Sequence, residues 1–128
     1  TELNFDAGKK DYSYFSKAQR DCVLKIHDFV VEHITEHYTI EELAERFEIS
    51  PTAMKKCFKE MYGVPIYTYC RTYRLQIAEK LLREGQLSVA EIAAKIGYIN
   101  PNKFTSAFCS EYKMTPTEYK KNVQMDRK

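Results

Sequence analysis

The chain has 128 residues, 44% of them hydrophobic and 30% charged, a balance typical of a globular domain rather than a disordered or fibrous chain. No run of about 18 apolar residues occurs and no signal peptide precedes the charged N-terminus, so we expect a cytoplasmic protein without a membrane partner. Its four cysteines lie far apart, which favours buried or half-buried thiols over zinc ligands.

The first predicted element is an amphipathic helix that follows a tail. Residues 1–16 are polar and aromatic without a clear period, so we interpret them as a linker or tail and expect the chain to be a fragment of a longer protein. Across residues 17–37, apolar side chains recur every three to four positions, which predicts a helix. These apolar positions are Val23, Ile26, Val30 and Ile34.

Two later stretches carry the same local signals. Residues 39–51 read TIEELAERFEISP, and residues 88–101 read SVAEIAAKIGYINP. Each begins with a capping box and ends with an N-cap residue before a proline that starts a second helix. The matched positions are Ser50, Phe58, Tyr62 and Tyr69 with Asn100, Phe108, Tyr112 and Tyr119, shifted by 50, and Ala44 with Ala93, shifted by 49. This repeat predicts two helix-turn-helix units in a protein that reads duplex DNA.

The remaining elements are also helical. A long helix is predicted over residues 65–84, and a short last helix from Thr115 through Tyr119. The apolar stripe of the long helix is Ile66, Tyr69, Cys70, Tyr73, Ile77 and Leu81, with Leu82 beside it. No strand-like alternation competes, so we predict an all-α fold of about seven helices. Its parts are the tail (1–16) and a domain (17–128) made of a first unit (17–63), a linker helix (64–85) and a second unit (86–128).

The turn of each unit has its own requirements. Ala44 and Ala93 supply the small residue where the two helices cross, and Gly97 suits the left-handed turn position. Glu48 holds that position in the first unit at a cost of roughly 1 kcal/mol, so we expect this turn to be distorted.

The second helix of each unit is expected to enter the major groove. The outward positions are Thr52, Ala53, Lys55, Lys56 and Lys59 in the first unit, and Asn102, Lys103, Thr105 and Ser106 in the second. The inward positions are Met54, Cys57, Phe58 and Met61, and Phe104, Ala107 and Phe108. Lysine can donate to guanine, asparagine can pair with adenine, and a threonine methyl can meet a thymine methyl.

Charge and length are consistent with this interpretation. Residues 1–48 carry 6 Lys/Arg against 11 Asp/Glu, whereas residues 49–128 carry 14 against 7. The basic part contains both recognition helices, which suits a polyanionic partner.

The linker helix spans roughly 30 Å, close to one turn of B-DNA at about 34 Å. It can therefore hold the two recognition helices in successive major grooves.

Over roughly residues 23–123, the chain resembles the C-terminal DNA-binding domain of the AraC/XylS family. The residues that carry the resemblance are Leu43, Ala44, Ser50, Phe58, Gly63, Arg74, Leu75, Ala78, Leu81, Leu82, Ile92, Ala93, Gly97, Tyr98, Phe104, Phe108, Pro116 and Tyr119. The resemblance implies a bacterial-type transcription factor with no enzymatic activity and no cofactor. It also implies contact with RNA polymerase and a separate N-terminal domain for effector sensing or dimerisation.

The resemblance assigns roles to particular positions. It places Thr52, Lys55 and Lys56, and then Asn102, Lys103, Thr105 and Ser106, where the two recognition helices usually meet bases. Glu48 replaces the usual glycine of the first turn, and Ser106 stands where many relatives have arginine. We therefore expect the second unit mainly to grip phosphate and the first to supply more electrostatic attraction.

Several interpretations stay open at this point. Arg71 and Arg74 on the linker helix either contact phosphate or pair with carboxylates such as Glu42 or Glu91, and for Arg74 we favour a structural role. The aromatic residues Tyr12, Tyr14 and Phe15 either pack onto the first helix, which we favour, or dock on a missing domain.

Two rival functions remain beside DNA binding. The first is a helical protein–protein module on the same scaffold, against which the basic bias of residues 49–128 argues. The second is a metal hydrolase, because His33, Glu36 and His37 match an H-x-x-E-H pattern. Such a short pattern arises easily by chance, and two solvent-facing histidines near a helix end are the ordinary explanation.

Overall fold

The computed structural model describes residues 14–126, and within this range it contains only helices, which confirms the predicted all-α class. The seven helices are α1 (Lys17–Glu32), α2 (Ile40–Arg46), α3 (Pro51–Tyr62), α4 (Ile66–Glu84), α5 (Val89–Lys95), α6 (Pro101–Tyr112) and α7 (Pro116–Asp126). None of these helices is long and apolar enough to cross a membrane.

Helix α1 is shorter than predicted, because it ends at Glu32 and not near residue 37. The carbonyl of Ile34 accepts a hydrogen bond from Arg74 Nε at 2.7 Å, and Glu36 N–H donates to the His33 carbonyl at 2.9 Å. A turn held by these bonds replaces the last predicted helical turn. Arg74 therefore has the structural role we favoured, but its partner is a main-chain carbonyl and not a carboxylate.

Helix α7 is longer than predicted and continues past Tyr119 to Asp126. A third capping box starts it: Thr115 Oγ1 accepts from Glu118 N–H at 3.1 Å, and Glu118 Oε1 accepts from Thr115 N–H at 2.9 Å. Lys120 Nζ also donates to the Leu87 carbonyl at 2.9 Å. No glycine or proline follows Pro116 to stop the helix.

The contacts divide the chain into two compact units, of which the first comprises Thr1–Phe29 and Thr39–Ile66. Its buried core within the described residues is Val23, Ile26, Leu43, Ala44, Met54, Cys57, Phe58 and Ile66. Tyr14 does not pack on α1 as we favoured, because it is 95% exposed; Phe15 is half-buried, and Tyr12 lies outside the described residues.

The second unit comprises Val30–Tyr38 and Tyr67–Lys128 and contains most of α4. Leu75, Ala78 and Leu82 are the α4 residues that reach its core, whereas Tyr73, Ile77 and Leu81 of the predicted stripe are only half-buried. Leu75, Ala78 and Leu82 also have helical spacing, and they carry no polar atom that needs a partner. The predicted face of α4 was therefore right at Ile66, Cys70 and the adjoining Leu82. Ile77 and Leu81 pack against the edge of the core, and Leu75 and Ala78 are buried beside the predicted stripe.

All four thiols lie where the composition predicted. Cys57 and Cys70 are buried, Cys22 and Cys109 are half-buried, and none forms a disulfide. Burial raises the pKa of Cys22, Cys57 and Cys70 above the usual value for a thiol. These thiols therefore act as packing groups rather than as nucleophiles.

Candidate nucleic-acid interface

The caps of both helix-turn-helix units form as predicted. Thr39 Oγ1 accepts from Glu42 N–H at 3.0 Å while Glu42 Oε1 accepts from Thr39 N–H at 2.8 Å, and Ser88 with Glu91 repeats the pair at 3.1 and 2.8 Å. Ser50 and Asn100 then cap α3 and α6, each followed by proline. Local sequence therefore fixes where both recognition helices begin.

The two turns have the same bonding. Glu48 and Gly97 adopt left-handed φ values of 56° and 94°. The following residues, Ile49 and Tyr98, donate to the carbonyls of Ala44 and Ala93 at 3.0 and 2.9 Å. The expected distortion of the first turn is therefore absent. The Glu48 side chain is exposed, and the turn's hydrogen bonds hold the backbone at the strained φ.

Gly97 has a second role that the sequence did not reveal. A Cβ on Gly97 would overlap the carbonyl oxygen of Thr35 and would lie 3.1 Å from His37 Nε2. The His37 ring nitrogen contacts the Gly97 carbonyl, and the His33 ring lies edge-on to Tyr38. Within residues 14–126, no group of three or more His, Cys, Asp or Glu side chains could hold a metal ion. The described contacts are a hydrogen bond from the His37 ring to the Gly97 carbonyl and an aromatic contact of His33 with Tyr38.

Each recognition helix is anchored by the same aromatic pair. Phe58 and Tyr62 on α3 have ring centroids 4.6 Å apart, and Phe108 and Tyr112 on α6 lie 4.5 Å apart. Phe58 and Phe108 are both fully buried. This equivalence supports the shift of 50 that related the two units, and it fixes which face of each helix points outward.

The reading face of α3 is exposed almost as predicted. Thr52, Lys55, Lys56 and Lys59 are exposed and have the spacing of one helix face, while Ala53 is half-buried. Met54, Cys57 and Phe58 are buried on the opposite side, and Met61 is half-buried. The first unit thus presents three lysines together with the hydroxyl of Thr52.

The reading face of α6 is narrower than predicted. Asn102, Lys103 and Ser106 are exposed, and Phe104, Ala107 and Phe108 are buried. Thr105 is half-buried, as is Cys109 four residues further along the helix. Three of the four predicted outward residues therefore reach the surface fully.

A groove of about 410 Å³ runs along this face of α6. Its lining residues are Tyr67, Arg71, Tyr98, Asn102, Lys103, Ser106 and Ala107. The structure thus brings Asn102, Lys103 and Ser106 together with Tyr67 and Arg71 of α4. Burial raises the pKa of Tyr98, and the nearby charges of Arg74 and Arg71 oppose that rise. Tyr67 and Tyr98 were missed as site residues, although Tyr67 and Arg71 have i,i+4 spacing on α4.

A polar contact ties α7 to α4 beneath this face. The Tyr119 hydroxyl donates to the Glu79 carboxylate, which also pairs with Arg83 Nε at 2.7 Å. Burial, together with the bond to Glu79, raises the pKa of Tyr119 to about 12. The hydroxyl therefore keeps its proton at neutral pH and remains a donor.

Two helix-turn-helix units with polar exposed recognition helices define the class: an AraC-type DNA-binding domain of the kind found in transcriptional regulators. Residues 43–122 match the family model described as "Helix-turn-helix domain". The chain belongs to this AraC-type helix-turn-helix family.

Curated relatives and a solved structure agree with that assignment. The chain is 29% identical over 111 residues to the HTH-type transcriptional activator RhaR of Mannheimia succiniciproducens, which covers 87% of this chain and 38% of the relative. It is 27% identical over 101 residues to the bifunctional transcriptional activator/DNA repair enzyme AdaA of Bacillus subtilis, covering 79% of this chain and 48% of that protein. The chain thus spans less than half the length of these relatives.

The solved structure shows the fold. The DNA-binding domain of AdpA, a global transcriptional factor crystallised in complex with a target DNA, superposes with a TM-score of 0.77 at 24% identity. The match covers 82% of this chain and 95% of that chain.

Proposed function

We propose that α3 and α6 read base edges of duplex DNA in successive major grooves and thereby direct transcription control. The observation that carries this proposal is the equivalence of the two helices in cap, turn and aromatic anchor, each with a polar exposed face. Helix α4 has 19 residues and a length of about 28 Å. That length is close to one helical turn of B-DNA, about 34 Å.

In the first unit, Thr52, Lys55 and Lys56 lie in the N-terminal half of α3, the part of a recognition helix that reaches base edges. Lysine ammonium groups donate to the O6 and N7 of guanine, and the Thr52 methyl suits a thymine methyl. Lys59 lies one helical turn further along the same face. We assign Lys59 to backbone phosphate, which positions the helix without reading sequence.

In the second unit, Asn102 and Lys103 occupy the first turn of α6, one turn before Ser106. The Asn102 amide can bond the N6 and N7 of adenine, and Lys103 donates to guanine or to phosphate. Thr105 contributes less because it is half-buried. With Ser106 in place of a longer donor, this unit grips phosphate more than it reads bases.

Further parts of the proposal concern the whole protein. The chain covers 38% of the RhaR relative's length, which suits a separate effector-sensing or dimerising domain in the intact regulator. RNA polymerase is the proposed second partner. The domain itself is proposed to have no enzymatic activity, since the relatives named above are transcriptional regulators and the match covers only 48% of the bifunctional AdaA.

Selection of bound sequences from a random duplex pool tests this function. We expect one contiguous site with two half-elements about one helical turn apart, and an affinity that falls steeply with salt because phosphate contacts release counterions. Failure to enrich any duplex, or binding that salt does not weaken, would favour the protein–protein module instead.

A further inference from the structure

The groove along α6 contains a cationic group that no internal contact explains. Arg71 and Lys103 both line it, and no carboxylate is among the lining residues. Two like charges that share one groove repel each other, so their arrangement destabilises the isolated domain slightly. An anion between them removes that repulsion.

The other arginines in the described part of the chain each have a bonding or stacking partner. Arg20 donates to the Phe15 carbonyl at 2.5 Å, Arg46 stacks over the Phe29 ring at 4.7 Å, Arg74 donates to the Ile34 carbonyl and Arg83 pairs with Glu79. Among residues 14–126, Arg71 is the arginine that forms no hydrogen bond or ion pair. It is half-buried nevertheless, and it lines the groove.

The neighbours of Arg71 suit a phosphate. Tyr67 lines the groove one turn before Arg71 on α4 and is 69% exposed, and Lys103 lies on the reading face of α6. The groove, of about 410 Å³, is open enough to admit a phosphate group. A guanidinium can donate two parallel N–H bonds to one phosphate, and a tyrosine hydroxyl or an ammonium can add a third.

We propose that Arg71 binds a backbone phosphate of the DNA beside α6, with Lys103 and the Tyr67 hydroxyl as supporting donors. This inference rests on the proposed function. It makes α4 part of the DNA-binding surface, not only a connector, and it adds a phosphate donor beside α6, which carries a single lysine.

The test compares Arg71→Gln with Lys80→Gln, which removes one exposed positive charge from the same helix outside the groove. Both variants are checked for folding by circular dichroism. Their affinities for a duplex selected by the wild-type domain are then measured from about 50 to 200 mM salt. We expect Arg71→Gln to weaken binding about tenfold and to reduce the salt slope by about 0.9, whereas Lys80→Gln changes neither. A folded Arg71→Gln variant that matches Lys80→Gln in affinity and slope would overturn the inference.

Neutral methylphosphonate groups, introduced one position at a time, locate the contact. In the wild type, one methylphosphonate position should lower the affinity for DNA about as much as Arg71→Gln does. In the Arg71→Gln variant, a methylphosphonate at the same position should lower the affinity little. Equal losses of affinity in the wild type and in Arg71→Gln at every methylphosphonate position would contradict the inference. Inorganic phosphate alone should bind weakly at Arg71, since a lone anion lacks the remaining DNA contacts. Failure of the wild type to bind any duplex would instead reject the proposed function itself.

Discussion

Two different residues, Glu48 and Gly97, adopt a left-handed conformation at the equivalent turn positions of the two units. Glu48 has a φ of 56° and Gly97 a φ of 94°, with the same pattern of turn hydrogen bonds. A non-glycine residue in this region costs roughly 1 kcal/mol. The first turn therefore retains strain, whereas the second has none and depends on the absence of a side chain.

Opposite effects of substitution follow at these two positions. We predict that Glu48→Gly raises the free energy of unfolding by about 0.5–1 kcal/mol, and that Glu48→Ala changes it little because alanine keeps the strained φ. Gly97→Ala should lower it by about 2 kcal/mol or more, because the new methyl would overlap the Thr35 carbonyl. Urea unfolding measures all three, and a less stable Glu48→Gly variant would contradict this account of the turn.

Single side chains on the reading faces should separate sequence reading from attraction. Asn102→Ala should reduce discrimination at one base pair by about 1–3 kcal/mol and leave the salt slope unchanged. Lys59→Gln should weaken binding to all duplexes alike and reduce the slope by about 0.9. Affinities for selected and scrambled duplexes at several salt concentrations distinguish these outcomes. A uniform loss from Asn102→Ala would remove it from the base-reading set.

At the scale of the elements, the short helices α2 and α5 depend on their capping boxes. Both have only seven residues, too few for a stable helix without such bonds. The main-chain and side-chain bonds from Ser88 hold the pKa of Glu91 below its usual value, and those from Thr115 do the same for Glu118. A lowered folded-state pKa means that this stability is present above the unfolded-state pKa and is lost as pH falls.

Glu91→Gln tests the contribution of that ionised cap. Glutamine can still accept the Ser88 N–H bond, but it does not titrate. We predict that the wild type is the more stable protein near neutral pH and that its advantage shrinks between about pH 5 and pH 3. Stability curves that stay parallel over this range would show that the charge of Glu91 contributes nothing.

Local signals predicted most of the elements, and long-range contacts explain where they failed. Capping boxes and prolines lie next to the backbone they fix, so the starts of α2, α3, α5 and α6 could be read from the sequence. The end of α1 depends on Arg74, 40 residues away, which no local pattern records. The burial of Leu75 and Ala78 on α4 and the groove around Arg71 likewise depend on which helices pack together.

For the candidate site, too, the sequence predicted what local helical spacing determines and missed what tertiary packing determines. Helical spacing gave the exposed face of α3, because that face is set by the buried Phe58 opposite it. The half-burial of Thr105 and the inclusion of Tyr67, Arg71 and Tyr98 arise from tertiary packing. Sequence reasoning therefore predicted the exposed faces of α3 and, for the most part, of α6, but did not predict that residues of α4 line a groove beside α6.

At the scale of the whole molecule, the two units are similar in construction and different in charge. The α3 face carries Lys55, Lys56 and Lys59, whereas the α6 face carries Lys103 and gains Arg71 from α4. If α6 mainly grips phosphate, mutating the half-element it covers should cost less affinity than mutating the α3 half-element. Equal losses from both halves would contradict that division of roles.

The spacing of the two half-elements tests the central claim most directly. The proposed reading of two successive grooves requires one particular separation between the half-elements. Insertion of about half a helical turn, 5 base pairs, between the half-elements places them on opposite faces of the duplex. We predict that this insertion lowers the affinity to that of a duplex with a single half-element. An affinity unchanged by the insertion would contradict the reading of successive major grooves by α3 and α6.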